Sequence, residues 1–544
     1  MKREIRAAGA AERYMARLVV GVALLGLSAQ GLLAVSCSVV KHGEPSEADK
    51  ALLAADYAKA EGLYQADLAK KAGDPELTAG LVHALLREQK LTQAAEVVKT
   101  ALAATPGSAA LITLRGEVEL RQGEPWTAEQ SVVAAYKLDP CNARTRLLFA
   151  RISQLKANYA TAKQQIQLAH QFDPADPEIS WAWIQTLPTA QRVTETEAYL
   201  SAPNGLDTVT VGILRANLAR DKKLTAEPAR ACSLSSTAGA DEIPFIRLAG
   251  FGWGGHSRGP GLEATVNGAL SRLQLGADEG GITVFRPLAE RAGLKRITDS
   301  EKSLMPGGKP SYLAYADSIK IGKLEFKNCT VKVIESGTPF DDGDGSIGID
   351  AFADFLMTID YPLRKLQLGP LPEKTPPAPV ASPALRTNPT DTMYAANEGL
   401  SDRYIAPEMK DYSQIYRFGP GLLFPTAMNT NKMKLMALNI GSDGTSVSTE
   451  AAKEVSKTYE KAAEGPQGGK ILVADAITFN FAHVVQKLNG VKAVDTGIFS
   501  KILGTELSGF IGRDVFQVLV MHIDYRDGLV KFEYIQNHGF PKYD

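Results

Sequence analysis

Gly345-Ser346-Ile347-Gly348-Ile349-Asp350-Ala351-Phe352, followed by Thr358-Ile359-Asp360-Tyr361, has a second version late in the chain. It is Gly509-Phe510-Ile511-Gly512-Arg513-Asp514-Val515-Phe516, followed by His522-Ile523-Asp524-Tyr525. Both read as an apolar stretch, Ile-Gly, a short helix and an Ile-Asp-Tyr strand. Upstream of the first lies Leu273-Gln274-Leu275-Gly276-Ala277-Asp278, then Thr283 to Leu294. Upstream of the second lies Leu438-Asn439-Ile440-Gly441-Ser442-Asp443, then Ser448 to Val455. The interval from Gln274 to Gly348 and the interval from Asn439 to Gly512 agree to within one position. Between these marks the sequence alternates over short runs such as 311–322 and 323–334, with Gly and Pro between them, which predicts strands. Two copies of one β unit are therefore expected, over 240–370 and 396–536. A Pro-rich linker, 371–395, joins them in extended form.

The repeated unit resembles a lobe of the retropepsin-like aspartic peptidases, in which an apolar-apolar-Gly strand supports the catalytic loop. Two such lobes in one chain imply a pepsin-like pair with a cleft between them. In that family the loop reads Asp-Thr-Gly, and two close carboxylates share one proton across the cleft. The resemblance places Gln274 and Asn439 at those two positions. A primary amide has no titratable proton in the working range and serves neither as base nor as acid. Leu275 and Ile440 then replace the hydroxyls that bond across the lobes, and Gly276, Asp278, Gly441 and Asp443 complete the cleft loops. Asp278 and Asp443 read as capping or turn residues before the following helix, as a displaced acidic pair for a cation or basic peptide, or as a pair with residual proteolytic activity. The triplet Asp495-Thr496-Gly497 lies too close before Gly512 to leave room for the strands that must intervene, and reads as a turn. Gly255-His256-Ser257-Arg258-Gly259 matches a hydrolase elbow, yet Pro260-Gly261 follows where a helix is required. Asp341-Asp342-Gly343-Asp344-Gly345 lacks the glycine and the closing Glu of a calcium loop.

The N-terminal part carries an internal period. Pro106, Pro140 and Pro174 recur at a constant interval. Ala94, Ala128 and Ala162 share it, as do Ala101, Ala135 and Ala169, and Val82, Gly116 and Ala150 keep step. Small residues let paired helices approach, and proline ends the second helix of each pair. The pattern resembles the tetratricopeptide repeat and implies an α-solenoid over 45–200. Such an array offers a surface to a second protein, or serves as a docking face for its own C-terminal half. Trp126, Trp181 and Trp183 are groove anchors on the first view and core on the second.

Residues 1–37 open with five basic against two acidic residues, then an apolar run, Leu18 to Val35, ending Ala34-Val35-Ser36-Cys37. This reads as an export signal and resembles a lipobox, with Cys37 acylated. An uncleaved anchor and plain cleavage are the other readings. The composition of the chain is ordinary: Lys plus Arg is 60, Asp plus Glu 61 and net charge −1. That balance gives no support for a nucleic-acid partner. Four cysteines without a CxxC pair indicate neither a disulfide framework nor zinc. The expectation is a multi-domain α plus β protein: a solenoid, then an all-β two-lobed aspartic-peptidase-like barrel pair. Its expected role is that of an exported scaffold of the periplasm or cell envelope, with no metal or cofactor. The cleft would bind a peptide or protein, the array a second protein, and the N-terminus the membrane. The rival expectations are an active aspartic endopeptidase and a purely structural envelope scaffold.

Overall fold

Helices of the array start at one fixed interval because their capping residues do. Asp74, Ser108, Asn142 and Asp176 each accept backbone N–H bonds in the first turn of the helix they open, at 2.8–3.3 Å. The computed structural model describes residues 37–227, 232–235, 240–249, 257–277, 280–300, 309–335, 343–374, 402–430, 432–441, 444–462 and 470–534. Residues 1–36, on which the expected export signal falls, and the two aspartates Asp278 and Asp443 lie outside these residues. Among the described residues the array consists of α1 (Glu47–Leu53), α2 (Tyr57–Lys70), α3 (Pro75–Arg87), α4 (Leu91–Ala104), α5 (Ala109–Arg121), α6 (Pro125–Leu138), α7 (Ala143–Leu155), α8 (Tyr159–Phe172), α9 (Pro177–Ile184), α10 (Thr189–Ser201) and α11 (Thr208–Ala226). Ten of these pair into five repeats. The eleventh, α11, continues the helical region past the expected end near residue 200.

The small residues in register sit where the pairs cross. Ala94, Ala128, Ala135, Ala150, Ala162 and Ala169 are fully buried. A Cβ on Gly116 would lie 2.7 Å from a Leu148 methyl. The first helices of successive pairs touch one another and form the inner face. Ion pairs cross that face. Glu178 of α9 meets Arg87 of α3 at 2.8 Å and Arg151 of α7 at 2.7 Å, and Arg144 of α7 holds Asp176 at 2.5 Å. Glu117 of α5 meets His83 of α3 at 2.9 Å. The arginines hold the Glu178 carboxyl well below the usual carboxylate range despite its burial. The three tryptophans also find partners inside the chain: Trp181 packs on Tyr199, Trp183 stacks on His170, and Trp126 faces Tyr416 of the C-terminal half.

Lobe 1 contains β1 (Ser233–Leu234), β2 (Asp241–Pro244), β3 (Ile246–Ala249), β4 (Ser257–Val266), β5 (Ala269–Gly276), β6 (Ile282–Phe285), α12 (Arg286–Arg291), β7 (Lys295–Arg296), β8 (Ser311–Ile321), β9 (Leu324–Ile334), β10 (Gly345–Gly348), β11 (Phe355–Asp360) and β12 (Lys365–Pro370). Lobe 2 repeats the plan with β13 (Ser413–Gln414), β14 (Tyr416–Phe418), β15 (Gly421–Met428), β16 (Met433–Leu438), β17 (Ser446–Ser448), α13 (Thr449–Val455), β18 (Thr458–Ala462), β19 (Lys470–Phe481), β20 (Val484–Val494), α14 (Gly497–Leu503), β21 (Gly509–Ile511), α15 (Arg513–Phe516), β22 (Leu519–Asp524) and β23 (Leu529–Tyr534). The fold is the expected one: a solenoid of repeats joined to a two-lobed, aspartic-peptidase-like β structure.

The lobes share a six-stranded sheet in the order β13-β23-β22-β11-β12-β2, with β11 antiparallel to β22. Thr358 pairs with His522 in that ladder, and the two side chains meet at 2.9 Å. Each lies the same distance along the chain beyond the glycine of its own copy, Gly348 or Gly512. Equivalent residues facing each other place a local two-fold axis between them. One continuous apolar core runs through both lobes, with Phe424, Phe481, Phe516 and Phe532 packed ring to ring.

The array docks on lobe 2 through the turns between its paired helices. Those turns place residues 55, 89, 123 and 157 at positive φ, and the sequence there is Ala, Gln, Gly, Ala. The glycine stands where lobe 2 arrives: a Cβ on Gly123 would lie 2.5 Å from the Glu506 carbonyl oxygen. Beside it Glu506 N–H donates to Arg121 O at 2.9 Å, and Thr505 Oγ1 donates to Leu120 O at 2.5 Å. Trp126 packs into the apolar cluster of Leu423, Leu435 and Leu507. Thr161 and Asn158 bond Asp402 and Arg403 at the start of lobe 2. Arg417 is buried close by, stacked 3.8 Å over the Tyr525 ring. The array thus serves at least as a docking face for its own C-terminal half.

The cysteines correct the sequence expectation. Cys232 bonds Cys329, tying β1 to β9, and Cys37 and Cys141 are likewise disulfide-bonded, so none of the four is free. A sulfur in a disulfide has no thiol left to carry a thioether-linked lipid. For Cys37 the disulfide and the acylation implied by the lipobox resemblance exclude one another.

Candidate functional site

The loops after β5 and β16 meet at the junction of the lobes. β5 runs parallel to β10, with Gln274 opposite Ser346, Leu275 opposite Ile347 and Gly276 opposite Gly348. β16 runs parallel to β21, with Ala437 opposite Phe510 and Leu438 opposite Ile511. The next residue, Asn439, therefore stands level with Gly512, and its N–H donates to Ile511 O at 2.9 Å. Measured against the paired glycines, Asn439 corresponds to Gly276 and not to Gln274. A second comparison agrees. A Cβ on Gly345 would strike Thr283 O at 2.1 Å and Val284 Cα at 2.8 Å; on Gly509 it would strike Ser446 O at 2.3 Å and Val447 Cα at 2.7 Å. Thr283 thus matches Ser446. The step from Gly276 to Thr283 equals the step from Asn439 to Ser446. The expected superposition of Gln274 on Asn439 is off by two positions. The same shift removes the reason for pairing Asp278 with Asp443.

Gln274 nevertheless reaches the centre. Its Nε2 donates to the Gly441 carbonyl at 2.9 Å, from lobe 1 to lobe 2. Gly259 of β4 closes the same spot: a Cβ there would lie 3.0 Å from Gly441 Cα, 3.1 Å from Ile440 O and 3.3 Å from Gln274 Nε2. A Cβ on Gly441 would lie 2.9 Å from Gln274 Nε2 and 3.8 Å from Asn439 Oδ1. Two glycines thus leave room for one amide to span the lobes. Leu275 and Ile440 are fully buried in the common core. Gln274, Asn439 and Gly441 are cleft residues the sequence already points to. Gly259 carries no such signal, because it sits inside a stretch that resembles a hydrolase elbow without its helix; Ser257 in fact opens strand β4.

Behind each loop an aspartate holds the backbone. Both oxygens of Asp350 accept from Gly281 N–H, at 3.0 and 2.9 Å. Asp514 accepts from Thr445 N–H at 3.0 Å and from its hydroxyl at 2.6 Å. Burial pushes the Asp350 carboxyl up to about 6. Asp524, buried and beside Asp527, is also pushed up to about 6. A carboxyl whose folded value is raised favours the folded state below its unfolded value, near 3.9. That contribution is lost as pH rises through about 6. Glu178 acts in the opposite sense, so its contribution is lost as pH falls below the ordinary Glu range. The contribution of Asp350 is therefore expected to fall between about pH 4 and 6 by about 3 kcal/mol, read in thermal melts across that range. Asp350→Asn is expected to flatten that slope; an unchanged slope would assign it elsewhere.

The other motifs resolve simply. Thr496 immediately precedes α14, and Asp495 Oδ1 accepts from Gly497 N–H at 2.7 Å, so the Asp-Thr-Gly triplet is a turn. Asp344 accepts from Arg272 N–H at 3.0 Å and pairs with Arg291 at 2.8 Å. Asp341, Asp342, Gly255 and His256 lie outside the described residues. Among the described residues no group of three or more His, Cys, Asp or Glu could hold a metal ion, and no helix is long and apolar enough to cross a membrane.

No protein-family model and no curated protein matches the chain. Among solved structures it is similar to a thermophilic TPR protein of Thermus thermophilus. The identity is 18%, over 39% of this chain and 98% of that one, at a TM-score of 0.25. It is also similar to a retropepsin-like aspartic protease of Rickettsia conorii. There the identity is 19%, over 25% of this chain and 93% of that one, at a TM-score of 0.17.

Proposed function

We propose that this chain is an exported scaffold whose interlobe cleft holds an extended peptide segment without cutting it. The observation that carries the reading is the hydrogen bond from Gln274 Nε2 to Gly441 O at the lobe junction. Aspartic-peptidase chemistry needs a pair of carboxylates there, one taking a proton from water while the other protonates the carbonyl. Gly276 and Asn439 stand level with the paired glycines, and neither a glycine nor an amide can carry that proton. The two-lobed architecture keeps the means of binding, which is strand addition along a cleft edge. Arrays of helical repeats generally serve protein–protein contact. Ion pairs cross the inner face here, so a second protein is assigned to the outer helices. The basic-then-apolar start supports export. The disulfides support it too, since such bonds persist in oxidising compartments. With Cys37 in its disulfide, the apolar N-terminal run is read as an uncleaved anchor or as a plainly cleaved export signal.

The test is incubation of the purified chain with a library of unstructured peptides between about pH 3 and 7, where a carboxylate pair can hold one proton. Mass spectrometry would read both cleavage and retention. Retention of a peptide subset without new termini is expected. Pepstatin-sensitive cleavage would restore the endopeptidase reading, and neither cleavage nor retention would leave the structural scaffold.

A further inference from the structure

The array and lobe 2 are joined by backbone hydrogen bonds, by Arg417 of lobe 2 lying 5.7 Å from the Tyr159 ring of α8, and by a shared apolar cluster. Lobe 1 meets the array differently. At its N-terminal end α11 is tied to lobe 2, where Asp207 pairs with Lys501 of α14 at 3.0 Å. Along its length it is tied to α10, through Arg192 with Asp221 at 3.5 Å and Lys222 with Glu197. At its C-terminal end it reaches lobe 1, where Lys223 pairs with Asp299, and Glu227 pairs with Lys295 at 3.7 Å. A 19-residue helix is about 28 Å long, so α11 spans from one lobe to the other. The lobe 1 end is wet: the side chains of Asp299 and Lys295 are 86% and 64% exposed. Exposed pairs of this kind are individually weak and are screened by salt.

We propose that the C-terminal end of α11 is an electrostatic latch. It adds to the shared core and sheet in seating lobe 1 against the body formed by the array and lobe 2, and so biases how far the interlobe cleft opens. The shared six-stranded sheet is the natural hinge, since it joins the lobes at their base. The ligand-binding consequence rests on the reading of the cleft given above, but the latch itself is a property of the free chain.

The test uses the full chain with nitroxide labels on Leu270→Cys in lobe 1 and Val133→Cys in the array. Both positions are exposed, and the native chain has no free cysteine to compete. Pulsed electron spin resonance would read the distance distribution without any peptide. Reversing the charges with Lys223→Glu and Glu227→Lys is expected to broaden the distribution and shift it to longer distances at low salt. Raising NaCl to about 1 M, where the screening length is about 3 Å, is expected to do the same to the native sequence. Adding Asp299→Lys and Lys295→Glu to the reversed variant should bring the native distribution back. An unchanged distribution in both the reversed variant and high salt would overturn the latch. Lengthening that the swapped charges fail to reverse would overturn its electrostatic basis. Because no peptide is present, either failure leaves the peptide-binding reading standing, and failure to retain peptides leaves the latch standing.

Discussion

Gly509→Ala is expected to unfold lobe 2 under conditions where the native chain is stable. Gly509 has φ +149°, a conformation that residues with a Cβ rarely adopt, and its new methyl would sit 2.3 Å from Ser446 O and 2.7 Å from Val447 Cα. Both atoms belong to the backbone of β17, which is held between β21 and β20 and has nowhere to retreat. Overpacking typically costs about 1–3 kcal/mol, and a strained backbone adds about 1–3 kcal/mol. Against a total stability of about 5–15 kcal/mol, the sum removes much of what holds the lobe. Urea unfolding followed by tryptophan fluorescence should show an early transition, with Trp126 at the lobe 2 interface as reporter. Gly212→Ala is the control. It lies in α11 with nothing within 4 Å of the new methyl, and helix propensity predicts a gain of up to about 1 kcal/mol. A Gly509→Ala chain as stable as this control would mean that the β17–β21 register is wrong.

Arg144→Met is expected to cost about 3–5 kcal/mol, the usual penalty for removing one partner from a buried ionic cluster. Arg144 contacts Asp176 at 2.5 Å, Glu178 at 3.4 Å and Glu117 at 3.7 Å, and each of these carboxylates is largely buried. Methionine fills much of the volume but takes the shared cation from three carboxylates, of which Glu178 keeps Arg87 and Arg151. Arg144→Lys should recover only part of the loss, because an ammonium lacks the planar fork that serves several carboxylates at once. Thermal melts of the three proteins give the order directly: native highest, Lys intermediate, Met lowest. A Met variant within about 1 kcal/mol of native would show that the cluster is solvated like a surface network.

The array was legible because each repeat is a local object. Pro106, Pro140 and Pro174 end helices by their own chemistry, and Ala94, Ala128 and Ala162 fit where only small residues fit. The capping positions Asp74, Ser108, Asn142 and Asp176 carried the same period and would have given the helix starts as well. The ion pairs across the inner face were not legible in that way. Arg87 and Glu178 are far apart in the chain, and no local pattern couples them. The glycine at 123 reads as an ordinary turn residue until Glu506 is seen against it.

The sequence alone determined that there are two copies of one β lobe, because apolar alternation and the Ile-Gly and Ile-Asp-Tyr strands are written into each copy. It also determined that neither Gln274 nor Asn439 is a carboxylate. Which residues stand level across the copies was decided only by the tertiary structure. Side chains on a strand alternate with a period of two, so sliding one copy by two positions leaves every buried residue buried and every spacing nearly unchanged. Gln274 could therefore stand in for Gly276 in the sequence without disturbing the pattern. Only the ladder of β5 on β10 and of β16 on β21, fixed by backbone hydrogen bonds between distant segments, removes that freedom.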